Sequence, residues 1–293
     1  MPRYYLNKGG TKVRFTGSVG LNLGGGGGGG RTAEFFSNWG TTGSTETIIR
    51  DGNKWAGYEG NALMDVVTSP SGGPTTNALR TRFGTGGFDW VYGKGLWTQP
   101  SIGSSLWTRY YVNNDIAEQD GGSAYAATHP IESEGDPTGV SGNFYTYHLG
   151  SRTDGTGEFY ISIDANSRQF CCGASTADGT NPARIAKHTW WRIETQFLRT
   201  ATSTYTLHMR VYNQSGTLTY SDADGLDNMY VWGGGKMSAN NTGLTIDQAH
   251  IEEIRFGING GMSLTGTQYV YYAGVAVAKD DWCGAYGAFT GET

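Results

Sequence analysis

The sequence predicts an all-β protein, an antiparallel two-sheet sandwich that follows an extended glycine-rich arm. Segments that alternate apolar and polar residues recur along the chain, and they are rich in aromatic and β-branched residues, which suit strands. The 293 residues include 48 Gly and only 16% charged residues, and Gly, Ser, Asn and Asp fill the stretches between these segments as turns do. Helical periodicity never extends past two turns, so we expect few helices.

Residues 1–32 form the predicted arm. Seven consecutive glycines, Gly24 to Gly30, cannot contribute to a core, and glycine loses more backbone freedom on folding than any other residue. The alternating stretch around Val13 and Phe15 is too short to make a core alone, but it suits addition to a sheet edge of a partner. We therefore expect the arm to anchor the protein in an assembly, and a simple flexible tether is the alternative.

The remaining residues, 33–293, form the predicted sandwich domain. Eight segments in it have the composition and alternation of strands: 106–112, 143–149, 158–164, 190–198, 205–212, 217–220, 251–257 and 269–277. Successive side chains of a strand point to opposite faces. The alternation therefore predicts one buried set and one polar set on an outer, solvated face. The buried set is Ile193, Phe197, Leu207, Met209 and Val211, and the outer set is Arg192, Glu194, His208 and Arg210.

Charge, hydropathy and cysteine content limit the possible partners, the compartment and the disulfide bonds of the protein. The net charge of −5 and the absence of a basic run argue against nucleic acid as a partner. Neither a signal peptide nor an apolar stretch of membrane-spanning length is visible, so we expect synthesis in a cytoplasm without membrane insertion. Three cysteines make no disulfide framework. Buried free thiols are expected, although Cys283 could pair with Cys171 or Cys172.

The order of the later strands resembles the concanavalin A-like jelly roll. The resemblance rests on the strand 191–197 with its internal Glu, the hairpin 205–220, the strand 251–257 and a last strand, 269–278, that ends Gly-Val-Ala-Val-Ala. It covers roughly residues 33–285. Laminin-G-like domains and several polysaccharide lyases share this fold, and such sandwiches without a signal peptide also occur in bacteriophage virion proteins. The resemblance therefore implies a jelly-roll sandwich, and it names no function by itself.

Two functional hypotheses follow. The first is a non-enzymatic structural or adhesive component of a viral particle, such as a capsid decoration, a head fibre or a tail protein. In this hypothesis the arm binds other virion proteins, the protein forms a homo-oligomer, and the sandwich binds cell-surface polysaccharide. The alternative is a polysaccharide lyase or a carbohydrate-binding module.

The lyase alternative depends on one polar strand face. Arg192, Glu194 and Gln196 are similar in spacing to the Arg-Ser-Glu-Leu-Arg strand of alginate lyases. Further candidates that would join them are His208, Arg210 and Tyr147. A lyase needs a group that neutralises the uronate carboxylate and a His or Tyr that moves protons. The Gln-Ile-His and Tyr-x-Lys-x-Gly-x-Tyr motifs of those enzymes are missing, so we expect no catalytic residues and a solvated or glycan-binding face.

Two further groups of residues are candidates for binding. Tryptophans near glycine-rich segments could stack on sugar rings, with core packing as the alternative; they are Trp55, Trp90, Trp97 and Trp232. The acidic turn that contains Asp222, Asp224 and Asp227 predicts either an ordinary turn or a calcium site. No other metal or cofactor is expected.

Overall fold

The structure is a computed structural model. It describes residues 5–6, 12–13, 31–60, 63–83, 88–94, 96–115, 146–151, 159–165, 168–173, 184–224, 228–231, 235–236, 243–247, 253–259 and 268–292. The strands in these ranges are β1 (Tyr5–Leu6), β2 (Lys12–Val13), β3 (Phe35–Ser37), β4 (Gly57–Gly60), β5 (Met64–Thr68), β6 (Asn77–Phe83), β7 (Phe88–Lys94), β8 (Ser105–Asn114), β9 (Thr146–Ser151), β10 (Phe159–Ala165), β11 (Arg168–Gly173), β12 (Arg184–Ile185), β13 (Trp190–Ala201), β14 (Thr204–Tyr212), β15 (Leu218–Ser221), β16 (Asn228–Val231), β17 (Gly235–Lys236), β18 (Leu244–Asp247), β19 (Glu253–Asn259) and β20 (Gln268–Ala278). Each of the eight predicted strands overlaps one of them. The helix α1 spans Glu46–Ile49.

Nine strands form one large sheet. Its path runs β15-β14-β13-β8-β20-β6-β5, with β18 also paired to β14 and β3 also paired to β20. A three-stranded sheet has the order β19-β7-β4, and a six-stranded sheet contains β9 to β12, β16 and β17. All pairs between these strands are antiparallel, as predicted.

One face of the nine-stranded sheet forms the core, and strand β14 shows it most clearly. Burial alternates residue by residue along β14, with Leu207, Met209 and Val211 buried. The register places Leu207 opposite Phe197 and Val211 opposite Ile193, which are also buried. The predicted core face is therefore confirmed, and the alternation of period two fixes the register because a slip of one residue would expose this whole set.

The core lies between that face and the three-stranded sheet. Val91 of β7 and Phe256 of β19 are buried in the same cluster as the core face. The ring centroid of Phe256 lies 5.6 Å from that of Trp55 and 5.5 Å from that of Tyr110, both nearly edge to face. Such aromatic contacts stabilise a core beyond the area they bury. The described residues thus form an all-β antiparallel sandwich, whose core lies between the nine-stranded and the three-stranded sheet.

After β20 the chain turns back over the opposite face of the nine-stranded sheet, which we call the outer face. Residues 279–292 make this return and are called the C-terminal segment. Cys283 and Phe289 of the segment bury themselves in one cluster with Ala276 and Ala278 of β20. Cys283 is a buried free thiol, as expected. The side chains of Cys171 and Cys172 lie outside the described residues.

Little of the arm is described. Strand β2, which contains Val13, pairs with β1. Phe15, Gly24 and Gly30 lie outside the described residues. In the part of the chain that the structure describes, no helix is long and apolar enough to cross a membrane.

Candidate functional site

The outer face brings together five of the residues predicted from the sequence. Arg192, Glu194 and Gln196 alternate along β13, and the next strand places Arg210 opposite Glu194 and His208 opposite Gln196. The face is therefore polar, as the alternation predicts.

Arg109 of β8 lies opposite Glu194 on the other side of β13, and sequence reasoning missed it. It is 0% exposed, and its guanidinium forms an ion pair with the buried carboxylate of Glu292. Its Nε also donates to the carbonyl oxygen of Gly274 at 2.9 Å. Gly274 has a φ of +55° at a register shift of β20, a conformation that favours glycine. The Nη1 of Arg109 donates to the carbonyl oxygen of Ala285 at 3.0 Å. Arg109 therefore docks the C-terminal segment onto the sheet.

The C-terminal segment covers the centre of the outer face and shields it from solvent. Glu194 was expected in solvent, but it is 1% exposed because the segment covers it. The expectation of a solvated face is therefore wrong at the centre of the sheet. His208, Arg192 and Arg210 are half-buried.

Burial determines the electrostatics of Glu194. It raises the pKa of the Glu194 carboxyl, against the attraction of the Arg192, Arg109 and Arg210 charges. The Arg192 Nε lies 3.0 Å from Glu194 Oε1, without the alignment of a hydrogen bond. The Arg192 guanidinium instead stacks on Tyr212, 3.7 Å from the ring centroid. The Glu194 carboxylate is therefore protonated at a higher pH than an ordinary glutamate, but the segment separates it from solvent.

The two basic residues of β14 are held by the acidic turn that follows β15. Asp222 is buried; its carboxylate lies 3.0 Å from His208 Nδ1 and accepts the backbone N–H of Met209 at 2.6 Å. Arg210 donates twice to Asp224, at 2.7 Å each. Partial burial opposes ionisation of Asp224, but the hydrogen bonds from Arg210 and Ser221 outweigh it and lower the pKa of this carboxyl.

These pairings bear on the calcium candidates. Asp222 and Asp224 use their oxygens on protein partners, and Asp227 lies outside the described residues. Within the described ranges, no group of three or more His, Cys, Asp or Glu side chains is arranged to hold a metal ion.

A cleft of about 280 Å³ opens on the outer face beside the C-terminal segment. Its lining residues are aromatic, amide-bearing or small: Gly72, Pro74, Tyr111, Trp190, Asn213, Gln214, Ala285 and Tyr286. Trp190 is buried beneath it, whereas Tyr111 and Tyr286 are half-buried and Gln214 is exposed. The cleft therefore offers aromatic surface together with amide and hydroxyl groups that can form hydrogen bonds.

Two hairpin tips and the C-terminal segment build the cleft. The turn between β5 and β6 is tied to its floor, because Trp190 Nε1 donates to the carbonyl oxygen of Pro70 at 3.1 Å. Gly72 has a φ of +79°, and a Cβ added there would lie 1.9 Å from Gln214 Nε2. The φ of Gly72 therefore favours glycine at this turn, whereas the end of the flexible Gln214 side chain can move aside. On the third side, the backbone N–H of Tyr286 donates to Tyr111 Oη at 2.9 Å.

The other sequence candidates lie elsewhere. Trp55 is 0% exposed and Trp97 is 8% exposed, and both belong to the core, so their assignment as sugar-stacking surfaces is wrong. Trp90 lies in β7 with a side chain outside the described residues, and Trp232 lies outside them altogether. Tyr147 belongs to β9 in the six-stranded sheet rather than to the outer face.

The residues that form the cleft gave little signal in the sequence. Tyr111 and Trp190 lie in predicted strands and read as ordinary strand aromatics. Gln214 lies in the predicted hairpin turn. The one available signal was that Tyr111 and Trp190 fall on the polar face of their strands, where exposed aromatics favour binding.

Comparison with solved structures shows the fold. An alginate lyase of the PL-14 class from Aplysia kurodai aligns with a TM-score of 0.51 and 10% identity, over 85% of this chain and 100% of that one. The alginate lyase Aly36B aligns with a TM-score of 0.47 and 12% identity, over 86% and 99% of the two chains. A carbohydrate esterase from the Shiga toxin-encoding bacteriophage phi24B aligns with a TM-score of 0.42 and 10% identity, over 85% and 99%. No family model and no curated protein matches the sequence.

Proposed function

We propose that the protein is a non-enzymatic glycan-binding protein, and that the cleft binds a neutral sugar. The observation that carries this proposal is the lining of the cleft. It combines aromatic faces with amide and hydroxyl groups, and none of the described lining residues is charged.

The chemistry of the lining favours a neutral pyranose. Its apolar C–H face can lie against Tyr111 and Tyr286, and its hydroxyls can exchange hydrogen bonds with Asn213 and Gln214. A uronate carboxylate in the same place would lose water without gaining a charged partner, which is unfavourable. The volume is close to the lower end of ligand pockets, roughly 300 Å³, so it suits a short stretch of a sugar chain.

The same geometry weighs against the lyase alternative. Arg109 and Glu194, at the centre of the polar face, lie beneath the C-terminal segment, and Arg210 and His208 are paired with acidic side chains. We expect no unsaturated uronate products from alginate or glucuronan in an absorbance assay. A steady rise in absorbance that is lost in Arg192→Ala would favour the lyase instead.

We also propose that the sandwich is the adhesive part of a viral particle, anchored through the glycine-rich arm. This part of the proposal rests on the composition of the arm alone. Removal of residues 1–30 should leave a folded sandwich that no longer enters the particle. A truncated protein that assembles normally would contradict the anchoring role.

Titration with neutral and acidic hexasaccharides tests the cleft. We expect cellohexaose, maltohexaose or chitohexaose to change the intrinsic tryptophan fluorescence, whereas an oligomannuronate of the same length should not. Gln214→Ala should weaken binding about tenfold, which corresponds to about 1.4 kcal/mol. Thr219→Ala, an exposed change on β15 of the same hairpin, is the matched control and should bind normally. Binding of the acidic sugar alone, or equal binding by both variants, would refute the assignment.

A further inference from the structure

The C-terminal segment supplies one complete side of the cleft, through Ala285 and Tyr286. The cleft therefore exists only while the segment is docked on the outer face. We propose that Arg31 and Glu292 are positioning residues of the cleft, which hold the segment in place so that ligand binding and docking stabilise each other. This inference rests on the proposed glycan binding.

Glu292 joins the segment to the sheet and also shapes the segment itself. One carboxylate oxygen accepts the backbone N–H groups of Gly287 at 2.8 Å and Phe289 at 3.2 Å, while the carboxylate pairs with Arg109. The Tyr286 hydroxyl donates to the backbone carbonyl of Glu292. Loss of this carboxylate would therefore release the turn that presents Tyr286 as well as the buried ion pair.

Arg31 contacts both ends of the C-terminal segment. It donates to both oxygens of Asp280, at 2.9 and 2.7 Å, and to the carbonyl oxygens of Trp282 and Asp281, at 2.9 and 3.0 Å. Its guanidinium lies 4.9 Å from the ring centroid of Phe289. Its own carbonyl accepts the backbone N–H of Thr290 at 3.0 Å. A single arginine thus contacts the beginning and the end of the segment.

Linkage follows from this arrangement. A ligand that contacts Tyr286 binds only the docked state, so it must favour docking by the same factor by which docking favours the ligand. Arg31 also follows the glycine run directly in the sequence. A partner that binds the arm and draws Arg31 away would therefore weaken the cleft.

Cys283 provides a reporter of docking that does not depend on any sugar. Its thiol is buried between the segment and β20, so an alkylating reagent reaches it only when the segment leaves the sheet. Labelling with N-ethylmaleimide, followed by mass spectrometry of peptides, separates Cys283 from Cys171 and Cys172. Arg31→Ala should accelerate labelling of Cys283 about tenfold and weaken binding of the neutral hexasaccharide by a similar factor. Saturating hexasaccharide should slow the labelling of the unmodified protein.

Arg199→Ala is the matched control, because Arg199 likewise ties the chain through backbone carbonyls, those of Pro100, Ala201 and Thr202, but lies at the far end of β13. It should change neither readout. Arg31→Lys and Glu292→Gln, which keep a polar group in place, extend the test if Arg31→Ala fails to fold. Unchanged labelling or unchanged affinity in the foldable Arg31 and Glu292 variants would overturn the linkage alone. Failure of every hexasaccharide to bind the unmodified protein would overturn the proposed function together with the linkage.

Discussion

The two faces of the nine-stranded sheet are both covered, but by different means. The core face meets a second sheet through apolar side chains that repeat every second residue. The outer face meets the C-terminal segment through a buried ion pair, Arg109–Glu292, and a small cluster around Cys283 and Phe289. The first kind of burial is a property of a local pattern. The second depends on two residues that lie 183 positions apart in the chain.

This difference predicts how each face responds to substitution. The core face should tolerate charge poorly, since apolar side chains make up most of it, and the buried hydroxyls of Thr108 and Thr195 on this face hydrogen-bond to each other. The outer face should depend on whether both members of a charged pair are present, because a buried charge is costly mainly when it is unpaired.

The largest effect is expected on the core face. Met209→Asp should destabilise the protein by at least about 5 kcal/mol, which combines lost packing with an unpaired buried charge. Urea unfolding, or loss of soluble folded protein, measures this. Ile102→Asp is the control, since Ile102 is 59% exposed, and it should cost about 0.5 kcal/mol or less. Similar melting temperatures for the two variants would show that the core face is assigned wrongly.

The next effect is expected at the centre of the outer face. Arg109→Met should cost about 3–5 kcal/mol, because it leaves the Glu292 carboxylate buried without its cation. The double variant Arg109→Met/Glu292→Leu should recover part of the loss, as removal of both charges often does. A double-mutant cycle of unfolding free energies measures the coupling. Additive losses would show that the pair does not hold the segment.

His208 shows why the outer face cannot be treated as ordinary surface. The sequence suggests that a change at His208 costs little, but its ring holds an oxygen of the buried Asp222. His208→Ala should therefore cost about 1–3 kcal/mol, the range for a buried polar group that loses a partner. Thermal unfolding of this variant beside Thr219→Ala, which should be nearly neutral, checks the difference.

The sequence predicted the features that depend on local pattern. The strand from Tyr205 to Tyr212 was found because its alternation is unbroken, and its buried set was right. Among the strands that were missed, which include β5 and β6, β4 and β7 contain Gly57, Gly60 and Gly93, which interrupt the alternation there. The assignment of Trp55 was wrong because it relied on the composition of the neighbouring sequence. Glycine-rich surroundings suggested that Trp55 is exposed, but tertiary packing buries it.

The cleft was beyond prediction for a related reason. Its walls come from the turn around Gly72, the hairpin tip at Gln214 and the C-terminal segment at Tyr286. Each is an ordinary turn or loop in the sequence. Their meeting depends on the strand order of the sheet and on the docking of the segment by Arg109, and neither can be obtained from spacing along the chain.

The smallest effect on stability is expected at Glu194, where substitution should stabilise the protein rather than destabilise it. Burial raises the pKa of this carboxyl in the folded state, so the ionised form is less favourable when folded than when unfolded. The unmodified protein therefore loses stability as the pH rises from the unfolded-state pKa to the folded-state pKa, and the loss is complete above the latter. Glu194→Gln, which is always neutral, should raise the melting temperature slightly at neutral pH. The gain should shrink as the pH falls and disappear below the unfolded-state pKa of about 4.3, where both side chains are uncharged. Melting temperatures of both proteins across this pH range measure the effect. A loss of stability in Glu194→Gln at neutral pH would show that the attraction of Arg109, Arg192 and Arg210 for the ionised carboxylate outweighs the cost of its burial. The charges of the outer face would then stabilise the fold in spite of the segment that covers them.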